Sequence, residues 1–76
     1  MNTIDNKFIK RQLEGLNSYA KQLGYEVTLV IDYDYSMWLF SIFDENGHFV
    51  TQAGYRDALN VLNGRLWIKE GYKDVA

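Results

Sequence analysis

The sequence predicts an α+β fold of order αβββα: a three-stranded antiparallel meander sheet with two helices packed on one face, residues 1–76 forming a single domain. Three observations predict it. Apolar residues recur at spacings of three and four near both ends of the chain. Between residues 25 and 53 they alternate or run on in short stretches, and Asp44-Glu45-Asn46-Gly47 separates two of those stretches with the residues of a tight turn.

Ile4, Phe8, Ile9, Leu13, Leu16, Tyr19, Ala20 and Leu23 share one stripe of a helix, so segment 4–23 reads as amphipathic. Lys7, Lys10, Arg11, Glu14, Asn17, Ser18 and Lys21 form its polar side. Asn2 or Thr3 can cap its first amides, and Gly24 can take the left-handed conformation that ends it. Gly15 inside the helix costs about 1 kcal/mol relative to alanine, which points to a close approach of helix to sheet.

Residues 25–31 alternate, with Tyr25, Val27, Leu29 and Ile31 on one face and Glu26, Thr28 and Val30 on the other. A polar and aromatic connection follows, Tyr33-Asp34-Tyr35, and residues 36–43 then read as a central strand with both faces apolar. The Asp44–Gly47 turn suits a type I turn with glycine at positive φ and a G1 bulge. It pairs Asp44 with His48, Phe43 with Phe49, Ile42 with Val50 and Ser41 with Thr51. A similar three-residue loop before the central strand pairs Ile31 with Met37 and Leu29 with Leu39. Together these registers put Tyr25, Val27, Leu29, Ile31, Met37, Leu39, Phe43, Phe49 and Ala53 under the helices and leave Trp38, Phe40, Ile42 and Val50 on the opposite face. After Gly54, Ala58, Leu59, Leu62 and Leu66 mark a second helix, which Gly64 either ends, with a short further turn beyond it, or sits inside as part of one continuous helix.

With 47% apolar residues, 16% aromatics and no proline or cysteine, the chain can pack a core and depends on packing alone for stability. No disulfide, thiolate nucleophile or cysteine-ligated metal is available. No apolar stretch is long enough to span a bilayer and no secretory h-region opens the chain, so a cytoplasmic location is expected. The net charge of −2 hides a strong pattern. Residues 25–54 contain Glu26, Asp32, Asp34, Asp44 and Glu45 and no lysine or arginine, while the flanking segments are mildly basic.

Candidate chemistry is sparse. His48, the only histidine, sits beside Asp44 across a turn, an arrangement expected of a surface ion pair rather than a catalytic dyad. Asp32, Asp34 and Ser36 supply too few oxygens for a calcium or magnesium site. No phosphate loop or nucleophile elbow occurs, so neither enzymatic activity nor a cofactor is expected. Lys7, Lys10, Arg11 and Lys21 form a cationic helix face that could meet nucleic-acid phosphates.

The order of elements resembles that of the double-stranded-RNA-binding domain. Where that family carries a Lys-Lys-x-Ala-Lys cluster at the start of its last helix, this chain has Tyr55-Arg56-Asp57-Ala58-Leu59, so the resemblance implies the fold and not RNA binding. The same order, the acidic strand region and the absence of proline and cysteine are also similar to small phage and mobile-element proteins, including anti-CRISPR inhibitors. That resemblance implies stoichiometric binding to a host or defence protein with a basic or nucleic-acid-binding surface. The expected contact set is Trp38, Phe40, Ile42 and Val50 as apolar anchors, with Asp32, Tyr33, Asp34, Tyr35, Asp44 and Glu45 around them. A homodimer through the same face and its burial by the chain's own tail around Trp67 and Tyr72 are the alternatives expected for it.

Overall fold

The computed structural model, which describes residues 7–32 and 37–69, has the expected order: α1 (Lys7–Leu23), β1 (Glu26–Asp32), β2 (Met37–Phe43), β3 (Phe49–Ala53) and α2 (Tyr55–Lys69). The strands form one antiparallel sheet in the order β1-β2-β3. Helix α1 packs against β1 and α2, and α2 packs against β2 and β3. The proposed first-turn caps, Asn2 and Thr3, lie outside the described residues.

Helix α1 ends as its sequence predicts. Gly24 has φ 78°, the Tyr25 amide donates to the Ala20 carbonyl at 2.9 Å and the Gly24 amide donates to the Lys21 carbonyl at 3.1 Å. This is the double bond pattern of a Schellman cap, which satisfies two carbonyls that the last turn leaves open. Gly47 has φ 82°, and its amide donates to the Asp44 carbonyl at 2.9 Å, closing the predicted turn. Gly15 differs from expectation. A Cβ there would approach the Tyr55 hydroxyl at 4.0 Å, so its close neighbour is α2 and not the sheet. Helix α2 runs unbroken through Gly64.

The registers are where the structure corrects the sequence reading. β1 pairs with β2 as Val27 with Ile42, Leu29 with Phe40, Ile31 with Trp38 and Asp32 with Met37, one residue away from the predicted pairing. In the second hairpin Phe43 faces Phe49 as expected, but the register then shifts, so that Ile42 faces Thr51 and Ser41 faces Gln52. Val50 is the extra residue of the resulting bulge.

One residue of slip turns β2 over. Phe40 and Ile42 are fully buried in the core with Ile9, Leu16, Ala20, Val27, Ala58 and Leu62, and Trp38 and Val50 pack against them. The physical reason lies in Ser41. Trp38, Phe40 and Ile42 form a face of β2 with no polar atom except the Trp38 indole N–H, whereas Leu39 and Phe43 flank a hydroxyl. Placing that second face under the helices would carry in the hydroxyl's partner Gln52, whose exposed carboxamide would then be buried among apolar side chains at roughly 1–3 kcal/mol. Burying Phe40 and Ile42 instead contributes about 1.5–3 kcal/mol each.

Candidate functional site

The helices leave one face of the sheet uncovered, and the observed register defines its rows: Glu26, Phe43 and Phe49; Thr28, Ser41 and Gln52; Val30 and Leu39. Met37 extends the face beyond Leu39. Met37 is 46% exposed and Phe49 59%, values that mark apolar side chains held in solvent. The Phe43 and Phe49 rings meet edge to face, with centroids 6.0 Å apart and planes at 70°, an arrangement worth about 0.5–1.5 kcal/mol beyond area burial. Between the apolar rows the Ser41 hydroxyl donates to Gln52 Oε1 at 3.3 Å. This rung satisfies the only buried polar side chain among the described residues.

At one end of this face stands the β2–β3 turn. Asp44 Oδ1 accepts from the backbone amides of His48 and Asn46, each at 2.9 Å. Those two amides, the His48 contact foremost, together with the charges of His48 and Arg65, outweigh desolvation and hold the Asp44 carboxyl below its ordinary value of 3.8. His48 Nδ1 lies 3.9 Å from Asp44 Oδ2 with its side chain largely exposed, which matches the surface pair expected from sequence. Among the described residues no group of three or more histidine, aspartate or glutamate side chains converges as a metal site would require.

A cleft of about 430 Å³ opens between the ends of the two helices and the β2–β3 turn, lined by Leu23, Tyr25, Glu45, Arg65, Ile68 and Lys69. Its cations already have work within the chain. Arg65 Nη1 donates to the Tyr25 hydroxyl at 2.9 Å, with the guanidinium carbon 5.8 Å from the Tyr25 ring centroid. Lys69 Nζ donates to the Gln22 carbonyl at 2.7 Å. The two side chains tie the end of α2 to the end of α1, and the cleft follows from that junction.

The free edge of β1 carries a feature that the sequence reading passed over. The Asn17 side chain of α1 meets the edge at Val27, where Oδ1 accepts from the backbone amide at 3.1 Å and Nδ2 donates to the backbone carbonyl at 3.2 Å. Nδ2 also lies 3.3 Å from the Leu13 carbonyl. One carboxamide thus takes the place of a neighbouring strand at this residue. Asn17 had been placed on the polar side of α1, and nothing in its spacing separates it from Ser18 or Gln22.

The predicted contact residues divide. Phe40 and Ile42 lie in the core, and Trp38 and Val50 pack against it, so these four do not form an exposed patch. Their place on the open face is taken by Met37, Leu39, Phe43 and Phe49, which the sequence reading had assigned to the core. The Ser41 hydroxyl was the signal that distinguishes the two faces. Asp44 and Glu45 stand at the turn, and the backbone of Asp32 ends β1 opposite Met37. Tyr33, Asp34 and Tyr35 lie outside the described residues. Lys7, Lys10, Arg11 and Lys21 are all exposed on α1.

Folding sorts the charge pattern by layer. Helix α1 carries Lys7, Lys10, Arg11 and Lys21 against Glu14, and α2 carries Arg56, Arg65 and Lys69 against Asp57. Among the described residues, the strands and the β2–β3 turn between them in sequence carry Glu26, Asp32, Asp44 and Glu45 and no lysine or arginine. No helix among the described residues is long and apolar enough to cross a membrane. Searches with the chain match no family model, no curated protein and no solved structure.

Proposed function

We propose that the protein is a non-enzymatic binding module that acts stoichiometrically, meeting its partner with the open face of its sheet. The observation that carries this reading is a face that neither helix covers, with Met37, Leu39, Phe43 and Phe49 on described strands that have no lysine or arginine. Apolar side chains held in water lower the free energy when a partner covers them, at about 25 cal/mol per Å². The acidic surroundings select a partner whose apolar patch is rimmed by cations, and they steer its approach. A surface built to hold nucleic acid has that chemistry. Together with the organisation shared with small phage and mobile-element inhibitors, this supports inhibition or modulation of a host or defence protein.

The test uses a variant that keeps the fold. Met37→Ser with Phe49→Ser alters two exposed side chains and should lower the thermal midpoint by no more than about 12 °C, leaving the protein folded at the temperature of the assay. The wild-type chain should form a 1:1 complex with a basic partner, weakened by salt, and the double variant should bind it at least tenfold less tightly. Unchanged binding by the double variant would overturn the proposal. So would a wild-type dimer in light scattering that the double variant converts to monomer, because the face would then be covered by a second copy.

The cationic side of α1 supports a second reading. Lys7, Lys10, Arg11 and Lys21 are exposed, and none is in an ion pair among the described residues. If these residues bind DNA or RNA, fluorescence anisotropy should show an affinity that falls steeply with salt, with a slope reduced by about one for each lysine removed.

A further inference from the structure

We infer that the free edge of β1 accepts an extended, cation-bearing segment of the partner chain as a fourth strand. This rests on the protein-binding reading above and supplies its mode of contact. In an antiparallel strand the outward-facing N–H and C=O groups belong to alternate residues. The Val27 amide and carbonyl face away from β2, since both bond to Asn17, so those of Leu29 and Ile31 face the same way. Neither Leu29 nor Ile31 makes a bond to any side chain or loop among the described residues. The strand is therefore plugged at one residue and open at the next two outward positions.

The two edges of the sheet differ. β3 has five residues and a bulge, features that blunt an edge against further pairing. β1 has seven residues in unbroken register with β2 and contains no lysine, proline or bulge. Its charges choose the occupant. A second copy would set beside β1 another strand whose only charged residues are Glu26 and Asp32, with no cation on either, and like charges across a strand pair are destabilising. A segment with lysine or arginine flanking a β-branched stretch faces the same acids with the opposite sign. Four backbone hydrogen bonds, two from Leu29 and two from Ile31, then complete the edge.

The experiment follows backbone amides of the full ¹⁵N-labelled chain during titration with a blocked hexapeptide of sequence Lys-Thr-Val-Thr-Val-Lys, with Glu-Thr-Val-Thr-Val-Glu as the control. The lysine peptide should move the Leu29 and Ile31 amide protons downfield and slow their exchange at least tenfold, leaving Val27 unchanged. The glutamate peptide should do neither. Ile31→Pro removes an outward donor at an edge position and should abolish the effect; the open face, read from Phe43 and Phe49 shifts, reports that the variant is folded. Unprotected Leu29 and Ile31 at saturation, or equal response to both peptides, overturns the inference. A free protein that is already dimeric with these amides protected overturns it in favour of a second copy. Partner binding that depends on Met37 and Phe49 while these amides stay unprotected sinks the edge inference alone. Protected amides with partner binding indifferent to Met37 and Phe49 sink the face reading alone.

Discussion

Replacing Asn17 with alanine removes both bonds to Val27 and opens the plugged end of the β1 edge. Each hydrogen bond contributes about 0.5–1.5 kcal/mol net, so the pair accounts for roughly 1–3 kcal/mol. Alanine returns about 0.5 kcal/mol through its better helix propensity. The expected net loss is about 0.5–2.5 kcal/mol, or a fall of roughly 2–20 °C in thermal midpoint for a domain of this size. Urea unfolding followed by tryptophan fluorescence gives the free energy, and amide exchange gives the location. Val27 should exchange faster in the variant, whereas amides in α2 should lose protection only through the global change. Ser18→Ala is the control, because the Ser18 hydroxyl bonds only to the Gly15 carbonyl of its own helix. Asn17→Asp should be at least as damaging as Asn17→Ala, since a carboxylate keeps an acceptor for the Val27 amide but sets an oxygen against the Val27 carbonyl. An Asn17→Ala protein that melts at or above the wild-type midpoint, with Val27 no less protected, would refute the assignment.

The two faces of β2 should respond oppositely to truncation. Phe40→Ala empties a fully buried site and should cost about 3–5 kcal/mol in urea unfolding, enough to unfold a marginal domain. Phe49→Ala should cost no more than about 1.5 kcal/mol, the value of its contact with Phe43; equal losses at the two sites would contradict the observed register. Gly64→Ala places a methyl group with no atom within 4 Å in the middle of α2, and should stabilise the protein by about 1 kcal/mol, seen as a rise of roughly 4–8 °C in thermal midpoint. Asp44, whose carboxyl is held below 3.8 in the folded chain, lends the turn stability that is present above pH 3.8 and lost as the pH falls below it through the folded value. An NMR titration should show the Asn46 and His48 amides shifting together as the Asp44 carboxylate is protonated in that acid range, and Asp44→Asn should remove that transition.

The elements were legible because each rests on local rules. The 3.6-residue stripe of α1, the glycine that caps it, the alternation of β1 and the Asp44–Gly47 turn all appear where the sequence places them. The charge partition was also legible, and the fold turns it into a basic helix layer and an acidic sheet. The facing of β2 was not read correctly, because Met37–Phe43 is apolar on both sides and alternation alone cannot orient such a strand. A loop length had to be assumed, and one residue of error exchanged Phe40 and Ile42 for Leu39 and Phe43.

Sequence by itself determined which segments become helix, strand and turn, since those choices depend on neighbours within a few residues. Tertiary structure decided which face of the central strand meets the helices and which side chain closes the β1 edge. The first depends on where the Ser41 hydroxyl can find Gln52, and the second on Asn17 reaching Val27 across ten residues of chain. Both are partnerships between polar groups distant in sequence, and they exist only once the layers have packed.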